Sequence, residues 1–199
     1  MRDLNAVCQI PRIGRLEIEG KVDEVLGECW NGSYPMDVEA ICDYLGIAIV
    51  PVMELWTKYG VDAFIAADFR TIYADESEFR HCSSRYRFSI AHEIGHFVLH
   101  REYFSSRVES LNEWIGASLS NSCNYVEYQA NFFAGCLLAP EDELVRVLNS
   151  EYDGSFARNY YMVGGEKYTR ALTVVRQVFH VSEQVVKRRI RDTIYGIGS

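Results

Sequence analysis

No stretch of this chain is apolar for long enough to span a bilayer, and Met1 to Asn5 lacks the apolar core of a secretory signal. Both absences point to the cytoplasm. A surplus of positive charge is missing too: 20 Lys and Arg stand against 28 Asp and Glu, a formal net charge of −8. That balance excludes a general grip on nucleic-acid phosphates and suits an ordinary soluble protein. The six cysteines, Cys8, Cys29, Cys42, Cys82, Cys123 and Cys136, contain no C-x-x-C pair. Neither a cysteine zinc site nor a disulfide framework is therefore expected, and the six read as free thiols. Cys82 and Cys123, in polar surroundings, are the two that a ligand role would suit best. Internal repeats and low-complexity tracts are absent, and nothing in the composition suggests disorder. The 199 residues fit one domain, 1–199, with a real core.

What is present is concentrated in residues 85–101, which contain His92-Glu93-Ile94-Gly95-His96. At about 100° per residue, Arg85, Ser89, His92, Glu93, His96 and His100 share one arc of a helix. Phe88, Ile90, Ala91, Ile94, Phe97, Val98 and Leu99 occupy the remaining circumference. A helix apolar nearly all round is a buried one, so the pattern predicts a central helix with one polar stripe facing an internal cleft. Gly95, on the far side, costs about 1 kcal/mol against alanine. Its presence predicts another element packed close behind. Histidines at i and i+4 project from successive turns, near enough to share one metal ion, and the glutamate between them flanks the same face as a base for the attacking water. The plainer alternative is a pair of satisfied histidines at the edge of a core; the spacing, on a stripe cut into an apolar helix, favours the metal.

The other elements follow from periodicity and punctuation. Residues 15–29 suit an amphipathic helix ending near Gly27, and Pro35 with Asp37 opens a second, carrying Val38, Ile41, Cys42 and Leu45, that Gly46 stops. A strand over 47–52 and a hairpin of strands at 61–67 and 70–74 give a small sheet. Residues 75–84 read as a polar connection, and 101–124 as an excursion over the active face. A second apolar helix spans about 124–138, with Glu127 and Asn131 one turn apart on it. An ionised carboxylate there is costly unless it is paired or binds metal; Arg85 or Arg87 is the alternative partner. Pro140-Glu141-Asp142-Glu143 starts a third helix, 149–165 reads as a Gly- and Tyr-rich loop, and 166–199 forms a C-terminal helix pair with Ser182 as an N-cap. Lys187, Arg188, Arg189 and Arg191 on that pair read as an exposed basic face and not as a DNA contact. The fold class expected is α+β: a small mixed sheet, a central helix bearing the histidine motif, and surrounding helices.

The combined pattern of Arg87 to His96, His100, Glu127 to Ala134 and Leu137-Leu138-Ala139-Pro140 closely resembles the ImmA/IrrE family of zinc metallopeptidases. Ala139 stands where the family usually has methionine, a difference that touches packing and not metal binding. Pro35 to Val52 and Phe179 to Ser182 also resemble the family's arrangement, so the likeness covers most of the chain. It implies that Glu127 is the third metal ligand beside His92 and His96, and that Glu93 is the catalytic base. Members cleave or regulate a DNA-binding transcriptional repressor in bacteria and their mobile elements, so a repressor is the implied protein partner.

Two histidines and a carboxylate leave a four-coordinate zinc one open position, as a catalytic site requires. Manganese or iron would also suit these ligands. Asn131 is spaced either to orient a ligand histidine or simply to pack between helices. Tyr125, Tyr128, His100 and Tyr161 are candidate donors to a tetrahedral oxyanion; His81 and His180 read as surface or turn histidines. The rival readings are a non-proteolytic metal-binding regulator that acts by protein contact, and a toxin-like partner in a two-gene module. Glu93 argues against both, because a scaffold that only holds metal has no need of a carboxylate beside it.

Overall fold

The computed structural model describes residues 11–81, 83–105, 124–151 and 165–195. Its fold is α+β, as expected. Helices α1 (Arg15–Cys29) and α2 (Val38–Leu45) lead into strand β1 (Ala48–Val52) and a short α3 (Leu55–Tyr59). Strands β2 (Ala63–Ile65) and β3 (Thr71–Asp75), then α4 (Glu76–His81), precede α5 (Ser84–Ser105), which carries the histidine motif. Helices α6 (Asn124–Leu138), α7 (Glu141–Glu151), α8 (Glu166–Phe179) and α9 (Glu183–Tyr195) follow.

The sheet is mixed, in the order β1-β3-β2. β1 runs parallel to β3, from Ala48 opposite Thr71 to Val52 opposite Asp75. β2 and β3 form the expected hairpin, with Phe64 opposite Tyr73. The turn between them is tightened by the Asp68 carboxylate, which accepts from the Arg70 N–H at 2.8 Å. Alternation on β3 buries Ile72 and Ala74, which join Ala63 and Ile65 of β2 in the core against α5.

Helix α5 packs on α6 more extensively than on any other element. Gly95 explains how closely: a Cβ added there would lie 3.2 Å from the Cα and carbonyl oxygen of Ala130 and from Phe133 Cδ1. The element predicted behind this glycine is therefore α6. Helix α1 covers α6 and α2 with Ile18, Val22, Val25 and Leu26; α8 packs on α7, and α9 on α6 and α7. The helix pair at the C-terminus is thus part of the same packing.

Helix ends follow local chemistry. The Asp37 side chain accepts from the Ala40 N–H at 3.0 Å, and Gly46 takes a left-handed φ of 71° to close α2. Ser182 Oγ accepts from the Val185 N–H at 3.3 Å, as its N-cap reading requires. Two elements differ from expectation. α4 stands where a polar connection was read, and α3 stands where no element was predicted. α4 buries no side chain and so leaves no apolar period to detect. α3 is five residues long and is held tertiarily, by the Asp75 carboxylate accepting from the Trp56 N–H at 2.9 Å. The excursion at 101–124 begins as the last turn of α5; beyond it, 106–123, the loop residues 152–164, Cys8, Cys82 and Cys123 lie outside the described residues. Cys29, Cys42 and Cys136 are free thiols.

Candidate metal centre

The polar stripe of α5 faces α6 across a cleft of about 900 Å³. His92, Glu93 and His96 line it from α5, and Glu127 and Asn131 from α6. Val52, Leu55, Tyr59, Phe64, Tyr73 and Phe88 make its walls mainly apolar. β2 forms one side, so the sheet brings backbone as well as side chains to the cleft.

Three side chains converge. His92 Nε2 lies 3.0 Å from His96 Nε2. Glu127 Oε2 is 3.2 Å from His92 Nε2, and Glu127 Oε1 is 3.4 Å from His96 Nε2. Among the described residues this is the group of His, Cys, Asp and Glu whose ligand atoms cluster as a metal site would need. A tetrahedral ion with bonds of about 2.0–2.1 Å separates its ligand atoms by about 3.3–3.4 Å, so these three edges fit one cation. The donor set, two imidazoles and a carboxylate, suits zinc and other first-row divalent ions.

The three side chains also influence one another electrostatically. Burial opposes charge on His92, but the Glu127 hydrogen bond and the nearby Glu93 and Glu127 charges outweigh it and raise its pKa. Burial also opposes charge on Glu127, yet the adjoining His92 and His96 imidazoles hold it well below the ordinary carboxylate range. Neither Arg85 nor Arg87 is its partner. Arg85 instead clamps Asp62, with Nε 2.9 Å from Oδ2 and Nη2 2.8 Å from Oδ1, and lies over the Trp56 ring.

Glu93 is buried beside the pair, where desolvation raises its pKa against the opposing pull of His92 and His96. Its Oε2 accepts a hydrogen bond from the Ile65 N–H of β2 at 2.8 Å. Asn131 lines the cleft with His92 and is the smallest of the influences that raise the His92 pKa. The oxyanion candidates fare differently. Tyr128 is half exposed, and its hydroxyl accepts from Arg15 Nη2 at 2.8 Å, away from the cleft. His100 is wholly buried behind His96, and burial, with the neighbouring His96, pushes its pKa down to about 3. Its Nδ1 lies 3.0 Å from His96 Nδ1 and its Nε2 lies 3.0 Å from Gln129 Oε1, so it cannot reach a substrate. Tyr125 packs partly buried under Arg12, and Tyr161 lies outside the described residues. His81 caps its own helix turn at 2.6 Å from Ser77 O, and His180 is the left-handed residue closing α8; neither approaches the cleft.

Two participants went unread in the sequence. The Ile65 N–H is backbone and carries no residue signal. Gln129 did carry one, as a neutral polar side chain on a nearly wholly apolar helix, since such a group when buried must find a partner.

Two comparisons bear on this arrangement. The family model of peptidase family M78, described as the IrrE N-terminal-like domain, matches residues 42–191. No curated protein matches the chain.

Proposed function

This chain belongs to the IrrE N-terminal-like peptidase family, and from that premise we propose that it is a zinc-dependent endopeptidase that cuts a specific protein partner, a DNA-binding transcriptional repressor, in the bacterial cytoplasm. One observation carries the chemistry: the convergence of His92, His96 and Glu127 to mutual separations of 3.0 to 3.4 Å beside a buried Glu93. We assign these three as the ligands and Glu93 as the base, within one metallopeptidase domain over 1–199. Zinc bound there supplies a Lewis acid that polarises the scissile carbonyl and lowers the pKa of water to about 7.

The chain's own groups do the rest. Glu93, its carboxylate fixed by the Ile65 N–H, takes the proton of the attacking water and hands it to the leaving amine. Desolvation raises its proton affinity, which suits a group that must first accept and then return a proton. The apolar walls hold substrate side chains and exclude bulk water, while Asn131 fixes the His92 ring. The repressor rests on family likeness. The cytoplasmic assignment is consistent with free Cys29, Cys42 and Cys136, and among the described residues no helix is long and apolar enough to cross a membrane.

The test is to incubate the protein and its Glu93→Gln variant with the repressor encoded beside it, with and without a chelator, and to map fragments by mass spectrometry. A glutamine oxygen can still accept from Ile65, so the variant keeps its fold and metal while cleavage falls about 10²- to 10⁴-fold, the usual cost of losing a general base. Equal relief of repression by both proteins with no fragment formed would replace the peptidase with a regulator that acts by binding.

A further inference from the structure

Behind the metal centre, the proposed ligand His96 heads a file of buried polar groups whose other members take no part in the chemistry above. His96 Nδ1 faces His100 Nδ1 at 3.0 Å, His100 Nε2 faces Gln129 Oε1 at 3.0 Å, and Gln129 Nε2 faces the Ile13 carbonyl oxygen at 3.3 Å. His96, His100 and Gln129 are 3 %, 0 % and 2 % exposed, so none can exchange its partner for bulk water.

We propose that His100 and Gln129 are positioning residues that fix, from the Ile13 carbonyl, the tautomer in which His96 turns a bare Nε2 toward His92 and Glu127. The inference rests on the reading of that cluster as a metal site. Its logic is directional. A carbonyl oxygen can only accept, so the Gln129 amide nitrogen must face Ile13 and donate to it. The Gln129 oxygen then faces His100, and Nε2 of that ring must carry the proton it donates. A neutral imidazole has one N–H, so His100 Nδ1 is bare and accepts from His96 Nδ1–H. Nε2 of His96 is left with its lone pair, aimed at the atoms that surround the proposed ion.

Each link reverses if the one behind it does. Which ring nitrogen of a histidine holds the proton is set by the hydrogen bond made by the other. Were His96 protonated on Nε2, that hydrogen would occupy the ion's place. The file thus readies one ligand before any metal arrives, and it does so with a backbone carbonyl that no side-chain change can invert.

Nitrogen-15 spectroscopy of the imidazoles in the metal-free full chain tests the tautomers directly, and competition against a chelator with zinc as the probe tests their consequence. His96 should be protonated on Nδ1 and His100 on Nε2, opposite tautomers on neighbouring turns. His100→Phe and Gln129→Leu should each weaken zinc binding about 10- to 100-fold, the usual cost of removing a group that orients a metal ligand. His100→Asn, whose carbonyl can accept from His96 in place of Nδ1, should retain most of the affinity. A role in packing alone predicts the reverse order, with Phe at least as good as Asn. A proton on His96 Nε2 in the metal-free wild type, or zinc binding by His100→Phe as tight as wild type, overturns the proposal. If the wild type takes up no zinc, the metal-site reading fails, and the tautomers alone then decide this one.

Discussion

Replacing Gly95 by alanine sets two known effects against each other at one atom. Alanine in a helix interior is favoured over glycine by about 1 kcal/mol, so propensity alone predicts a more stable protein. The new methyl would sit 3.2 Å from Ala130 Cα, 3.2 Å from Ala130 O and 3.2 Å from Phe133 Cδ1. Two of those neighbours are backbone atoms of a buried helix and cannot swing aside; the whole of α6 must retreat by a few tenths of an ångström. Overpacking of this kind costs about 1–3 kcal/mol. The net is a loss of about 0–2 kcal/mol, and for a chain of this size 1 kcal/mol lowers Tm by about 2–4 °C. Glu127 lies one turn before Ala130, so the retreat also draws the third proposed ligand away from His92 and His96. Calorimetry with chelator competition should therefore show a lower Tm together with weaker zinc binding. Gly20→Ala on α1 is the control, because a Cβ there meets nothing within 4 Å and only the propensity gain remains. A Gly95→Ala protein that melts higher, with unchanged zinc affinity, would refute the claim that the backbones of α5 and α6 approach this closely at Gly95.

Zinc added to stripped protein should raise Tm, since a ligand at 100 times its Kd stabilises by about 2.7 kcal/mol, and calorimetry of a His92→Ala, His96→Ala protein should show no rise. Cys42 and Cys136, whose thiols burial pushes up to about 12, should resist alkylation at neutral pH until the chain is unfolded, as peptide-resolved mass spectrometry can follow. Asp75 is held below its ordinary pKa, first by the Ser77 hydroxyl and then by the Trp56 N–H. A depressed folded pKa gives stability that is present above the unfolded value, about 3.9, and is lost as pH falls through the folded one. Asp75→Asn should accordingly melt lower than wild type at pH 7, with the two curves converging below pH about 4.

The long elements were legible because each carries a period and punctuation. Ile18, Val22, Val25 and Leu26 mark the inner face of α1, and Asp37 with Gly46 brackets α2. The histidine spacing placed His92 and His96 on one face, and Gly95 announced a close neighbour without naming it. What was not legible depends on distance along the chain. Glu93 meets an amide 28 residues earlier, His100 an amide 29 residues later, and Gln129 a carbonyl 116 residues back. No local pattern encodes such pairs. His100 was misjudged for the same reason: its stripe position suggested the cleft, whereas its buried partners hold it behind His96.

The position of Ile13 has a consequence for anyone who would treat the catalytic part as a portable module. The match to the peptidase family model begins at residue 42, inside α2. A fragment trimmed to 42–191 would lack the inner face of α1, the guanidinium of Arg15 that reaches both Tyr128 and Asp192, and the carbonyl from which the orientation of His96 is set. The excised piece would hold every proposed ligand and yet bind metal poorly. The inherited signature and the smallest self-sufficient unit are thus different lengths of chain, and a transplant should begin no later than residue 13.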